Sequence, residues 1–219
     1  MSGPTLDPAV LTAYQQYLAD EDSTRFIRLT GALYTFGTLE RLSVHPRREV
    51  RRAAVLGLGL LGGYECNDAL GKALLDEDRV VRNLAETGIR AVWLRAGNDE
   101  QRRHLGEVIR LNLSQDYGEC VRLASTLLEQ VPWFAEAWNQ RAIACYNLGR
   151  YQDSVDDSHQ ALEINPYHFG AAAGMGQSYL HMGNTKAALA CFRRALRLNP
   201  NLEGIRAGVA YLERTLKKD

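Results

Sequence analysis

The chain has 219 residues, with 26 Lys and Arg against 26 Asp and Glu and a formal net charge of zero. This balance disfavours nucleic acid and anionic membranes as partners, because both attract an excess of basic side chains. With 46% hydrophobic and 24% charged residues, the composition is globular and argues against disorder, coiled coil and collagen.

The sequence predicts neither a membrane segment nor a metal or cofactor site. It contains no run of about 18 apolar residues, and its start lacks the basic-then-apolar layout of a secretory signal, so we expect a cytoplasmic protein. Walker, dinucleotide-binding and His-Glu-x-x-His motifs are absent. Cys66, Cys120, Cys145 and Cys191 lack zinc-ligand spacing and are expected to be buried packing residues.

Two amphipathic helices are predicted at the start of the chain. The first begins at Asp7-Pro8 and the second at Asp22-Ser23, because an acidic or hydroxyl residue there precedes apolar residues at helical spacing. Whether these helices form a repeat stays open at this point.

A period of 31 residues follows. Val50-Arg51 and Gly57 correspond to Val81-Arg82 and Gly88, with an acidic run before the second unit. Over about residues 31–96 this pattern resembles HEAT repeats, in which a Val-Arg pair opens the second helix. The resemblance implies that Arg82 binds back to carboxylates or carbonyls of the preceding loop.

A second period, of 34 residues, is set by Pro132, Pro166 and Pro200. Each unit is predicted to contain two short helices, near 135–148 and 151–164 in the middle unit. Gly149 forms the turn between them, and Pro166 prevents continuation of the second helix. One such pair cannot bury its own apolar face, so stacked neighbours are required.

These units resemble tetratricopeptide repeats at 101–134, 135–168 and 169–202. The signature positions are occupied by Trp138, Ala142, Ala161 and Pro166 in the second unit, and by Gly176, Tyr179, Ala188, Phe192, Ala195 and Pro200 in the third. The first unit is degenerate. The resemblance implies an all-α right-handed α-solenoid, with HEAT-like repeats in 1–100 and a capping helix in 203–219.

The resemblance further implies a concave wall made by the first helix of each pair. The predicted groove residues are Asn112, Asn139, Ile143, Tyr146, Asn147, Gln177, Leu180 and His181. These side chains suit a peptide, because the amides can form hydrogen bonds with its backbone and the aliphatic groups can bury its apolar side chains. The basic clamp by which chaperone-binding members hold a terminal carboxylate is absent, because its places hold Leu105, Ile109, Gln140, Gly170 and Gly174.

Two features near the third unit have alternative interpretations. Gly170, Gly174 and Gly176 indicate either close helix contact or backbone access for a ligand. His168 is either a residue of the repeat junction or a base, and the junction is expected, because no acidic or nucleophilic residue lies at a sequence spacing that indicates a partner.

An arginine cluster forms the remaining candidate site. Arg47, Arg48 and Arg52 could contact phosphate or an acidic protein surface, whereas Arg51 matches the structural arginine of HEAT repeats.

The function predicted from these patterns is a non-catalytic adaptor with a protein or peptide partner. Two alternatives remain: a HEAT-like enzyme such as a bilin lyase-type protein, and a self-associating repeat protein that forms a homo-oligomer.

Overall fold

The structure is a computed structural model that describes residues 8–216. The predicted start at Asp7, and Lys217 and Lys218 of the predicted capping segment, lie outside these residues. Residues 8–216 form thirteen α-helices and one short 3-10 turn and contain no strand. The helices are α1 Ala9–Asp20, α2 Ser23–Leu33, α3 Phe36–Leu42, α4 Arg48–Leu61, α5 Asn67–Ala73, α6 Arg79–Leu94, α7 Asp99–Leu113, α8 Tyr117–Gln130, α9 Ala135–Asn147, α10 Tyr151–Ile164, α11 Phe169–His181, α12 Thr185–Leu198 and α13 Glu203–Thr215.

The all-α prediction is therefore confirmed. The chain divides after Val92 into two compact units, which we describe separately. None of the helices in residues 8–216 combines the length and the apolar character that crossing a membrane requires.

The first unit repeats one arginine geometry at the predicted 31-residue interval. Arg51 Nη1 donates to the carbonyl oxygens of His45 and Pro46, which lie six and five residues upstream. Arg82 Nη1 donates to the carbonyl oxygens six and five residues upstream of it in the same way. The predicted return of Arg82 to its loop is thus confirmed. Each arginine fixes the loop from which its own helix begins.

Helices α4 and α6 of the first unit approach each other at two glycines. A Cβ atom added to Gly59 would lie 2.7 Å from the Cα atom of Gly88, and a Cβ atom on Gly88 would lie 2.8 Å from the Cα atom of Gly59. Because the obstacle is backbone, no side-chain rotation relieves it. The absence of side chains at these two positions permits the helix crossing.

We expect Gly88→Ala to lower the free energy of unfolding by about 1–3 kcal/mol, because the added methyl group forces two helix backbones apart. The measurement is urea denaturation followed by circular dichroism. Gly106→Ala is the matched control: Gly106 lies inside α7 with nothing near its Cβ position. That change should stabilise the chain by up to about 1 kcal/mol through helix propensity. Equal effects of the two changes would contradict the close approach.

In the second unit, the turns between helices recur at the predicted 34-residue interval. Gly149 and Gly183 turn the chain between the helices of successive pairs, both with a φ of 75° that favours glycine. Asn165 and Asn199 are fully buried, and each accepts through Oδ1 from the amide two residues later. The helix boundaries follow the prediction closely, with α9 ending one residue earlier.

Stacked pairs bury the apolar faces of the second unit. The pairs are α7 with α8, α9 with α10, and α11 with α12. Ala161, Ala172 and Ala195 pack together between successive pairs, and Phe192 packs with Leu212 of α13. The unit is therefore an α-solenoid, as predicted, and α13 packs against its last pair.

Candidate functional site

The predicted groove residues lie on α7, α9 and α11, the first helices of successive pairs. Six of them, on α9 and α11, are at least partly open to solvent; we call these the open strip: Ile143, Tyr146, Asn147, Gln177, Leu180 and His181. The other two differ, because Asn139 is buried and Asn112 is half-buried. The strip carries no carboxylate, lysine or arginine.

The side-chain amides of Asn112 and Asn139 form hydrogen bonds within the protein. Asn112 Nδ2 donates to the backbone oxygen and to Oε1 of Gln140, at 2.9 and 2.8 Å. Gln140 Nε2 in turn donates to Glu136 Oε1 at 2.7 Å, and Asn139 Nδ2 donates to the same oxygen at 3.2 Å. These two predicted groove residues therefore belong to an internal network that links α7 to α9.

The network ends on a buried carboxylate and histidine. Glu136 Oε2 lies 3.0 Å from His168 Nε2, and the two side chains are only 8% and 2% exposed. Burial raises the pKa of Glu136, but the hydrogen bonds from His168, Gln140 and Asn139 outweigh burial and leave that pKa below its ordinary value.

The neutral tautomer of His168 follows from its partners. His168 caps α11, since its Nδ1 accepts from the amide of Ala171 at 3.1 Å. Nδ1 therefore carries no proton, and Nε2 donates to Glu136. The ring also stacks on Trp93, with centroids 4.2 Å apart. The predicted place at the repeat junction is confirmed, whereas the expectation of no acidic companion is wrong.

An aromatic cluster lies at the far end of the strip. Tyr146 Oη and His181 Nε2 are 2.8 Å apart, which joins the carboxyl ends of α9 and α11. The ring of Tyr151 stacks on His181 at 4.8 Å and meets Tyr146 edge-on at 5.7 Å. Tyr151 was not among the predicted groove residues. It starts α10, and only the fold of the turn at Gly149 brings it back to α9.

A small cavity opens beside the strip. It has a volume of about 70 Å³ and is lined by Asn139, Ala142, Ile143, Tyr146, Ser154, Ser158 and Gly174. Two glycines of α11 differ in the space around them. A Cβ atom on Gly176 would lie 2.5 Å from the Phe192 ring, whereas a Cβ atom on Gly174 would meet nothing within 4 Å. Close packing therefore explains Gly176 but not Gly174.

The places of the carboxylate clamp carry no cation. Leu105 is buried, Ile109 is half-buried and packs against the core, and Gln140 is engaged in the internal network. Gly170 and Gly174 present no side chain.

The arginine cluster of the first unit is largely ion-paired. Arg52 Nε and Nη2 hold both carboxylate oxygens of Asp78, at 2.9 and 2.6 Å. The hydrogen bond from Arg52 is the main cause that lowers the pKa of Asp78 to about 2. Arg48 pairs with Glu49 at 3.0 Å. Arg47 is exposed at the start of α4.

Fold and site together define an α-helical repeat protein with a strip along two first helices that holds no carboxylate, lysine or arginine. The tetratricopeptide repeat family model matches residues 135–168 and 171–202. The second unit thus contains tetratricopeptide repeats, which confirms that part of the sequence analysis.

Similar proteins share this repeat region. A TPR repeat-containing protein of Rhizobium etli is 38% identical over 69 residues, which are 32% of this chain and 34% of that protein. The Hsp70-Hsp90 organizing protein of Triticum aestivum is 29% identical over 73 residues, 33% of this chain and 13% of that protein. The chain therefore spans about a third or less of the length of these relatives.

A solved structure shows the same fold. The first TPR of Spaghetti, bound to an HSP90 peptide, superposes with a TM-score of 0.53 at 16% identity and covers 55% of this chain and 96% of that one.

Proposed function

We propose that the chain is a non-catalytic adaptor that binds a polypeptide segment along the open strip of α9 and α11. The observation that carries the proposal is the strip itself: amide, aliphatic and aromatic side chains at least partly open to solvent, with no carboxylate, lysine or arginine, along two neighbouring helices. The Spaghetti structure holds a peptide on the same fold, and the wheat relative is named for organising two chaperones.

The bound segment is proposed to be internal to its own chain and uncharged. A terminal carboxylate loses its hydration when it is bound and needs cationic partners to offset that loss. The clamp places offer a buried leucine, a half-buried isoleucine, an engaged glutamine and two glycines instead. The chaperone tails that carboxylate-clamping relatives bind are therefore not the proposed ligands.

The non-catalytic part of the proposal rests on the cysteines. Cys66, Cys120, Cys145 and Cys191 are all buried, as predicted, and none of the four forms a disulfide. Burial raises the pKa of Cys120 and of Cys145 to about 11, so their thiols stay protonated at neutral pH and are poor nucleophiles. Buried cysteines that form no disulfide also support the proposed cytoplasmic location.

The division of the chain is proposed to follow the repeats. Residues 1–100 would be a HEAT-like region, which the repeated geometry of Arg51 and Arg82 supports. Residues 101–134 would be a degenerate first tetratricopeptide repeat ahead of the two matched ones, and 203–219 the cap.

Gln177→Glu tests the proposed function. A library of random dodecapeptides displayed on phage is selected on the purified full chain. An enriched peptide, acetylated and amidated so that its ends are uncharged, is then titrated by fluorescence polarisation. Gln177 is exposed on α11, and Glu keeps its shape but loses the amide donor. We expect affinity to fall about 5- to 10-fold, because a peptide carbonyl loses its partner.

Gln160→Glu is the matched control, since Gln160 is exposed on α10, away from the strip. The Gln160→Glu variant should bind the enriched peptide with the same affinity as the unaltered chain. Enrichment of no peptide, or equal affinities for both variants, would overturn the proposed site.

A further inference from the structure

The cavity beside the open strip is built from side chains at helical spacing. Asn139, Ala142, Ile143 and Tyr146 follow one another at i, i+3, i+4 and i+7 and so form one stripe of α9. Gly174 begins the matching stripe of α11, which continues through Gln177 and His181. The cavity therefore lies between the two helices that carry the strip, and Ser154 and Ser158 of α10 complete its lining.

The size of the cavity suits one amino-acid side chain. Its volume of about 70 Å³ is about half that of an apolar protein cavity that takes benzene, about 150 Å³. Pockets for whole small molecules measure about 300 Å³ or more. A branched side chain of three carbon atoms fills such a space, whereas an aromatic ring exceeds it.

The lining selects an uncharged, apolar group. Ile143, Ala142 and the Tyr146 ring supply apolar walls, and no lining residue is charged. Two of the polar groups there have partners of their own: Asn139 donates to Glu136, and Ser154 Oγ accepts from Ser178 Oγ at 2.9 Å. A charged side chain would lose its hydration there without compensation.

Gly174 opens the cavity. A side chain at this place on α11 would project into empty space, although glycine inside a helix is unfavourable by about 1 kcal/mol relative to alanine. Gly106 and Gly208 share this open Cβ position, but of the three glycines only Gly174 lines the cavity, where the missing side chain leaves room for a ligand.

We propose that this cavity is a specificity pocket for one valine-sized aliphatic side chain of a bound peptide. The proposal rests on the proposed function and adds to it the residue that the strip recognises. Residues next to the valine-sized one then lie along the strip, where Asn147 and Gln177 offer amides and the pair of Tyr146 and His181 offers an aromatic surface.

The test pairs a filled and an enlarged pocket. Gly174→Leu fills the cavity, and Ile143→Ala enlarges it at a position already 39% exposed. Gly208→Leu is the matched control, because Gly208 holds the equivalent place inside α13 and also has nothing near its Cβ position. Each purified full chain is presented with the dodecapeptide library, and enriched peptides are sequenced and titrated. Circular dichroism melting checks that each variant is folded.

The unaltered chain and Gly208→Leu should enrich peptides that share one valine, isoleucine or proline position. Gly174→Leu should bind these peptides about 10- to 100-fold more weakly, as expected for loss of one buried aliphatic side chain. Ile143→Ala should shift the shared position to leucine or phenylalanine.

Two different failures are distinguishable. If the unaltered chain enriches no peptide, the proposed function and the pocket both fail. If it enriches peptides without a shared aliphatic position, or if both pocket variants keep the original preference, the pocket fails while peptide binding stands. Should Gly174→Leu not fold, Ile143→Ala decides the result alone.

Discussion

Replacing His168 by alanine is expected to lower the free energy of unfolding of the second unit by about 3–5 kcal/mol. The change leaves the buried Glu136 carboxylate without its main partner, which is the costly way to break a buried pair. It also removes the cap of α11 and the ring that stacks on Trp93. Urea denaturation followed by tryptophan fluorescence measures the effect, since Trp93, Trp133 and Trp138 all lie in the second unit.

Two variants separate the roles of His168. His168→Asn keeps a good helix cap but has too short a side chain to reach Glu136, so its loss of stability should be smaller. Adding Glu136→Gln to His168→Ala should recover part of the stability, because no buried charge then remains unpaired. A His168→Ala variant as stable as the unaltered chain would contradict the pairing. So would a double variant whose loss of stability equals the sum of the losses of the two single variants, because the two side chains would then not be coupled.

Acid should weaken the second unit through the same pair. The pKa of Glu136 lies below its ordinary value of 4.5 in the folded chain, so folding favours the ionised form. The resulting stability is present above the unfolded pKa and is lost as pH falls through the lower, folded pKa. Glu136→Gln should accordingly lose less stability between pH 7 and acid than the unaltered chain.

The repeat architecture was predictable because several residues recur at the same interval in each period. Gly149 and Gly183 must allow a positive φ, and Pro166 and Pro200 must end helices. Such local requirements act on the backbone regardless of what packs around it. The helix boundaries of α9 and α10 therefore followed from the sequence within one residue.

The site was only partly predictable, since its contacts join residues of different repeats. Glu136 and His168 lie 32 residues apart, and the sequence shows no relation between them until α9 and α11 are stacked. Asn139 has the residue type of a groove donor, yet its amide is engaged by Glu136. Exposure and partner choice depend on neighbouring helices, so residue type and register alone do not determine them.

The same limit applies to the arginines of the first unit. Their clustering predicted an anion-binding patch, but Arg52 faces Asp78, which lies 26 residues further along the chain. The 31-residue period explains this pairing, because it stacks the start of α6 beside the start of α4. The position of an arginine in the period thus indicated its partner better than the local charge did.

Replacing Arg51 is expected to lower the stability of the first unit more than any other single change. Its guanidinium holds Asp76 at 2.8 and 2.9 Å, Glu77 at 3.1 Å, and two loop carbonyls. The hydrogen bond with Asp76 is the main cause that raises the pKa of Arg51, so the cation persists at any ordinary pH. One side chain therefore fastens both loops that precede α4 and α6.

Arg51→Met is expected to lower the free energy of unfolding by about 3–5 kcal/mol, because Asp76, whose side chain is only 11% exposed, loses its cation and the loop carbonyls lose their donor. Methionine retains most of the apolar stem, so the loss reports the guanidinium contacts. Hydrogen–deuterium exchange of residues 43–61 and 74–82, which include both loops, locates the effect, and urea denaturation gives its size.

Arg48→Met is the matched control. Arg48 starts the same helix, but its side chain is 63% exposed and pairs with an exposed glutamate, so the loss should stay below about 1 kcal/mol. Equal losses for Arg48 and Arg51 would mean that general surface charge, not the bridge between the two loops, stabilises the first unit. A loss confined to Arg51, with faster exchange in both loops, would show that this arginine couples one repeat to the next.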